Sequence, residues 1–285
     1  MIYFCADDYG ISANSNERIK ICLENGVLNK VSVLPNGETT SIKQHLSGEE
    51  TSLSLHINLV EGYPLSDSSD VDLLISENGY FKYSFMGLFL LSLSSKKREL
   101  EKQLYKELQN QIRFWKQTMG EKTAVSIDSH QHTHMIPLIF KTLMRVIKDE
   151  KLNVECIRIP AEPISPYLFT PSLYLSYRPV GLVKQWILKI LAFANRIELK
   201  KSELSYSYFM GVMFSGRLTE KKIKKLLPRY LKLAKKNNKN IEIGFHPGFL
   251  CEGEELIPGC QKGFKKFYFS PWRNTEYDTL INFRI

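Results

Sequence analysis

Cysteine is sparse: Cys5, Cys22, Cys156, Cys251 and Cys260 are odd in number, widely spread and form no CxxC pair. That usage excludes a disulfide framework and a zinc–thiolate centre, and predicts free thiols in a reducing, cytoplasmic setting. The chain does not open with a basic segment and a long apolar stretch, so no secretory signal is expected. Long apolar runs are missing too. "FMGLFLLSL" (85–93) and "VGLVKQWILKILAF" (180–193) are too short, or too interrupted by lysine, to span a bilayer. With no internal repeat and no low-complexity linker, the expectation is one domain over 1–285, with an apolar excursion near 166–200.

What is present is a basic, core-forming chain. Hydrophobic residues make up 43% of 285 residues, enough for a substantial core, and the net charge is +9. Much of the positive charge lies in "SSKKRELEKQ" (94–103) and "TEKKIKKLLPRYLKLAKKNNKN" (219–240), which read as helices with solvated basic faces. No nucleic-acid motif accompanies the charge, so no nucleic-acid partner is expected.

Short apolar runs alternate with amphipathic stretches. Strands are expected at 1–6, 31–37, 51–59, 123–135 (with its exit), 154–160 and 240–249. Helices are expected at 14–26, 41–49, 95–119, 136–150 and 219–236. Strand followed by helix, repeated, means parallel strands with helical crossovers, as a barrel or an open sheet. Polar residues fall at the C-terminal ends of the strands: Asp7 and Asp8, His56, the cluster around His130, Arg158 and His246. In both architectures that rim carries the active site.

Three of these strand ends offer metal ligands: the carboxylates of "CADDYG", the histidine of "LHINL" and the cluster "DSHQHTH". Oxygen and imidazole donors suit a divalent cation such as zinc or manganese, and less ideally magnesium. Two adjacent carboxylates then divide the labour: one binds the cation and its neighbour accepts a proton from an attacking water. Extended geometry within "HQHTH" puts His130, His132 and His134 on one face.

These segments resemble the YdjC-like carbohydrate deacetylases, which include chitooligosaccharide deacetylases. "CADDYGIS" resembles the family's "NADDFGLS", and "LSLHINLVEGYPLS" its "GLHLNLTEGxPLS". "SIDSHQHTHMIP" is similar to "HxDSHQHVHMxP", and "IEIGFHPGF" to "xEIxxHPGx". Weaker echoes are "CIRIPAE" (156–162), "YFMGVMFSGRLT" (208–219) and the Arg and Glu of "SPWRNTEYDTL" (270–280) before a final helix. The matches run in order over nearly the whole chain. Departures are Cys5, where the family has Asn, and the apolar stretch 166–200.

The resemblance implies an irregular (β/α) barrel like that of polysaccharide deacetylases, one divalent metal ion (Mg2+, Zn2+ or another transition metal) and an N-acetylated amino-sugar substrate. It puts the metal ligands at Asp8, His56 and His130, the general base at Asp7 and the general acid at His246. Asp128 and His132 are then expected to orient the ligands, and Arg158 to hold a sugar hydroxyl or charged group, or to form a surface ion pair. Competing readings are another metal-dependent amidohydrolase or phosphoesterase, and an inactive sugar- or lipid-binding barrel. Residues 166–193 are expected either to pack on the barrel or in a homodimer, or to contact a membrane peripherally, with lysines on anionic lipid.

Overall fold

The structure, a computed structural model, describes residues 1–38, 42, 46, 51–250, 254, 257–259 and 262–284. Seven parallel strands form one sheet: β1 Ile2–Tyr9, β2 Lys30–Val33, β3 Ser52–Ile57, β4 Val125–Ser129, β5 Val154–Ile157, β6 Tyr208–Met210 and β7 Ile241–Phe245. Their order is β5-β4-β3-β2-β1-β7-β6. The sheet curls until its two edges nearly meet. A parallel bridge joins Cys156 of β5 to Ser205, just before β6, and Ile157 N donates to Ser205 O at 2.9 Å. The result is an irregular half-barrel: the alternation implied parallel strands with helical crossovers, and the family resemblance implied the barrel. Apart from the edge strand β5, the strands are buried along most of their length, as parallel strands covered by helices must be.

Around the sheet lie α1 Ala13–Asn25, α2 Phe85–Ser92, α3 Lys97–Met119, α4 Pro137–Asp149, α5 Ile164–Leu168, α6 Pro179–Ser202, α7 Glu220–Asn237, α8 Lys262–Tyr268 and α9 Trp272–Asn282. The apolar spacing of α3 works as expected, burying Leu100, Leu104, Leu108, Ile112 and Trp115. Gly26 ends α1 in an extended conformation, with φ −119°. It is glycine because a Cβ there would lie 2.5 Å from Leu280 O of α9.

Sequence periodicity overlooks β6, since three residues are too few to show alternation. The helix expected at 41–49 falls outside the described residues except Ile42 and Leu46, both buried. The extended reading of "HQHTH" is overturned. Residues His130–Met135 coil into a 3-10 turn in which Gln131 and His132 take left-handed φ of 53° and 59°. Polar side chains drive the turn: Ser129 Oγ accepts the His134 N–H at 2.9 Å, which pulls the chain back on itself. His130, His132 and His134 therefore do not share a face.

Candidate active site

In a regular strand, Asp7 and Asp8 would point to opposite faces. They do not, because β1 bulges there. Its register with β2 runs from Ala6↔Val31 to Tyr9↔Val33, three steps against two, and Asp8 takes φ 69°. The extra residue re-aims the Asp8 side chain, and both carboxylates line one cavity of about 600 Å³. A positive φ is uncommon outside glycine, and Asp is among the side chains that tolerate it best.

Asp8 meets two histidines from different strand ends. Its Oδ1 is 3.6 Å from His56 Nε2, at the end of β3, and 2.9 Å from His130 Nδ1, just after β4. The three ligand atoms lie within 4.8 Å of one another. The far nitrogen of each ring is held by a buried acceptor. His56 Nδ1 is 2.7 Å from Asp128 Oδ1, its register partner on β4. His130 Nε2 is 3.0 Å from the Tyr268 hydroxyl, which donates to Glu61 Oε2 at 2.7 Å. These partners fix the proton on the outer nitrogen and leave the inner lone pairs facing Asp8. Asp8 Oδ1 and His56 Nε2 are buried without a hydrogen bond. Uncompensated polar atoms in a core are costly, and a cation would compensate them.

The electrostatics of the two rings point the same way. Burial opposes a charge on either ring, but Asp128 beside His56 and Asp8 beside His130 override it, raising them to about 9 and about 10. Burial likewise works against ionised Asp8, yet His130 and His56 hold its carboxyl well below the usual range. The donor set and the orphaned atoms fit a divalent metal.

Asp7 has a different environment. Arg158 grips it in a bidentate pair, Nη1 to Oδ2 at 2.7 Å and Nη2 to Oδ1 at 2.8 Å. The same guanidinium reaches Asp128 Oδ2 at 2.8 Å and Glu242 Oε1 at 2.5 Å, and stacks on Phe209. Arg158 is buried, which corrects its reading as a surface ion pair: its guanidinium is turned onto carboxylates beneath the cavity. Cys5 lies beneath it, with Sγ 3.2 Å from Nη2. Burial pushes that thiol well up, so it stays neutral.

His246 follows β7 at the cavity edge, half-buried, with its ring edge-on to Phe267. Its backbone N–H donates to Glu276 Oε2 at 2.7 Å, and Nδ1 is 3.6 Å from the same oxygen. His132 lines the cavity against Phe209 and hydrogen-bonds no ligand. Burial and the nearby Arg158 charge keep it well below the ordinary histidine range.

Motif reading alone does not assign four further residues. Arg273 donates to Asp8 Oδ2 at 3.1 Å and to Gly248 O at 2.7 Å. Glu276 backs His246, and Glu61 and Tyr268 back His130. The signal was the echo "SPWRNTEYDTL" together with "VEGYPL". Arg273 and Glu276 lie within α9 rather than ahead of it.

A parallel half-barrel with two histidines and two aspartates gathered at its C-terminal rim defines an α/β protein with a candidate metal centre. The profile of the YdjC-like proteins matches residues 1–284, and the chain belongs to that family. A carbohydrate deacetylase of Danio rerio is 29% identical over 160 residues, 55% of this chain and 49% of the relative. One from Thermoanaerobacter pseudethanolicus (strain ATCC 33223 / 39E) is 26% identical over 164 residues, 56% of this chain and 61% of the relative. The chain thus spans about half the length of the curated relatives it matches. A solved structure from Enterococcus faecalis V583, named for cellobiose-phosphate cleavage, superposes with a TM-score of 0.67. It covers 99% of this chain and 90% of its own at 16% identity, a likeness of fold.

Proposed function

We propose that this protein is a metal-dependent carbohydrate deacetylase that removes the acetyl group from an N-acetylated amino sugar. The observation that carries the reading is the Asp8–His56–His130 triad, with its orphaned Asp8 and His56 atoms, opening into the cavity that holds Asp7 and His246. The names of the curated relatives support it. Asp8, His56 and His130 would hold one divalent ion: magnesium, zinc or a first-row transition metal. Bound there, such an ion polarises the amide carbonyl and acidifies water.

The protein's own groups do the rest. Asp7 is the general base: the Arg158 clamp fixes both its oxygens and leaves lone pairs to take a proton. His246 is the general acid that protonates the departing amine; it lines the cavity, and Glu276 holds its backbone N–H. Arg158 and Asp128 are positioning residues beneath the ligands.

Arg158 also argues against a two-metal phosphoesterase. Asp7, Asp128, Glu242 and Cys5 could otherwise collect a second ion, but its guanidinium already occupies the space among them. An inactive binding barrel would have no need of Asp7 and His246 beside the triad. The described cysteines Cys5, Cys22 and Cys156 are free thiols, which supports a reducing, cytoplasmic setting.

Mass spectrometry of chito-oligosaccharides incubated with the protein and each divalent metal tests the reading. Loss of one acetyl group, with one ion bound per chain, is expected. Two ions per chain, or release of phosphate from a sugar phosphate in place of acetate, would overturn it.

A further inference from the structure

Helix α6 (Pro179–Ser202) buries Leu188 and Leu191 but leaves most of its large apolar side chains exposed. Its buried positions include Gln185 and Asn195, which donate to Glu162 O at 2.6 Å and Met135 O at 2.8 Å. Facing solvent are Val180, Val183, Trp186, Ile190, Phe193 and Ile197, each between 55% and 66% exposed. Spacings of three and four place them on one stripe about 25 Å long. Leu168, Phe169 and Leu175, also exposed, extend the surface from the turns before α6. A patch of this kind marks an interaction surface.

The stripe adjoins the active-site cavity. Lys184, Ile187 and Leu188 of α6 form part of the cavity wall, and Phe85 and Met86 of α2 form another part. Met86 and Leu90 of α2, and Leu93 just after it, are themselves exposed. The cavity thus opens between two apolar helix faces. Among the described residues no helix is long and apolar enough to cross a membrane.

We propose that this face docks on an anionic lipid bilayer and brings the cavity mouth to it. The amino sugar then enters as the headgroup of an amphiphile, whose apolar chain stays against α6 and α2. The substrate half rests on the deacetylase reading, whereas the docking half does not.

Charge selects the occupant. Residues 166–202 carry six cations, Arg178, Lys184, Lys189, Arg196, Lys200 and Lys201, against one carboxylate, Glu198. Glu198 is already paired with Lys201 at 3.1 Å. Anionic headgroups complement that surplus, and basic residues flanking an apolar stripe are the pattern of an interfacial helix. A second copy of the chain would instead bring the six cations against their own equivalents.

Sedimentation with phosphatidylglycerol–phosphatidylcholine vesicles is the test. The wild type pellets at low salt, and pellets less with phosphatidylcholine alone. The double variant Trp186→Glu, Ile190→Glu binds weaker by about tenfold or more. Both side chains are exposed and outside the metal triad, so its thermal midpoint and bound metal match the wild type. Wild type that remains in the supernatant at low salt overturns docking. So does a solution dimer that the same substitutions dissociate, because a second copy then covers the stripe. Vesicle binding without deacetylation of chito-oligosaccharides or a lipid-linked acetamido sugar overturns the substrate half alone.

Discussion

Asp7 and Asp8 are neighbours in sequence but answer to different cations: Arg158 of the loop after β5 clamps Asp7, and Arg273 of α9 holds Asp8. One bulge in β1 separates the two assignments. The carboxylates would repel one another on the same cavity wall, and two guanidiniums together with the histidines absorb that repulsion.

The separation predicts unlike variants. Asp7→Asn retains stoichiometric metal and loses turnover by about 10²–10⁴-fold, the usual worth of a positioned proton acceptor. Asp8→Asn loses the metal. Metal content by plasma mass spectrometry, read beside acetate release, distinguishes them, and equal metal loss in both would refute the division.

Removing a ligand gives a simpler outcome. His56→Ala or His130→Ala leaves two donors, too few to retain the ion, so cation and activity disappear together. Asp128→Asn is milder. It keeps an acceptor for His56 Nδ1 but loses the charge, and metal affinity falls about 10–100-fold. Competition with a chromogenic chelator measures both, and either histidine variant retaining a full equivalent of metal contradicts the ligand set.

Arg158 predicts a stability effect rather than a ligand effect. Arg158→Met leaves Asp7, Asp128 and Glu242 buried against the single charge of Lys30. Breaking a buried ion network from one side costs about 3–5 kcal/mol. Urea unfolding at pH 7 should show a midpoint shift of that size. A shift under about 1 kcal/mol, the range of exposed pairs, would mean the network is solvated.

Much of this was legible in the chain, for identifiable reasons. Strands ending in Asp8, His56, His130 and His246 announce themselves because an apolar run that stops at a polar side chain is visible locally. The parallel sheet followed from the alternation of such runs with amphipathic helices, whereas its curling into a half-barrel came only with the family resemblance. What could not be read was conformation imposed from a distance. The left-handed turn at Gln131 and His132 depends on Ser129 capturing the His134 N–H, and no periodicity encodes it. Arg273 and Asp8 are 265 positions apart, and only the closed sheet brings α9 back over β1. Arg158 looked like a surface charge because its three carboxylate partners come from three other strands.

His134 carries the last prediction, which concerns acid. The ring is buried, and its hydrogen bonds fix the tautomer: Nε2–H donates to Arg158 O at 2.8 Å, so Nδ1 accepts from the Ser129 hydroxyl. Burial, with the Arg158 charge adding to it, holds the ring down at about 4. In the unfolded chain it takes a proton near 6.5. A depressed folded value contributes stability that is present above the unfolded value and lost as pH falls toward the folded one, so the loss lies between about 6.5 and 4. The full effect is about 3 kcal/mol, at a slope of at most about 1.4 kcal/mol per pH unit. His134→Gln can still donate to Arg158 O but cannot titrate. Urea unfolding of both proteins in chelator at pH 7 and pH 4.5 should show the wild type losing about 2–3 kcal/mol more than the variant. Equal losses would mean that acid enters the fold elsewhere, with the His56 and His130 carboxylate partners the first groups to examine.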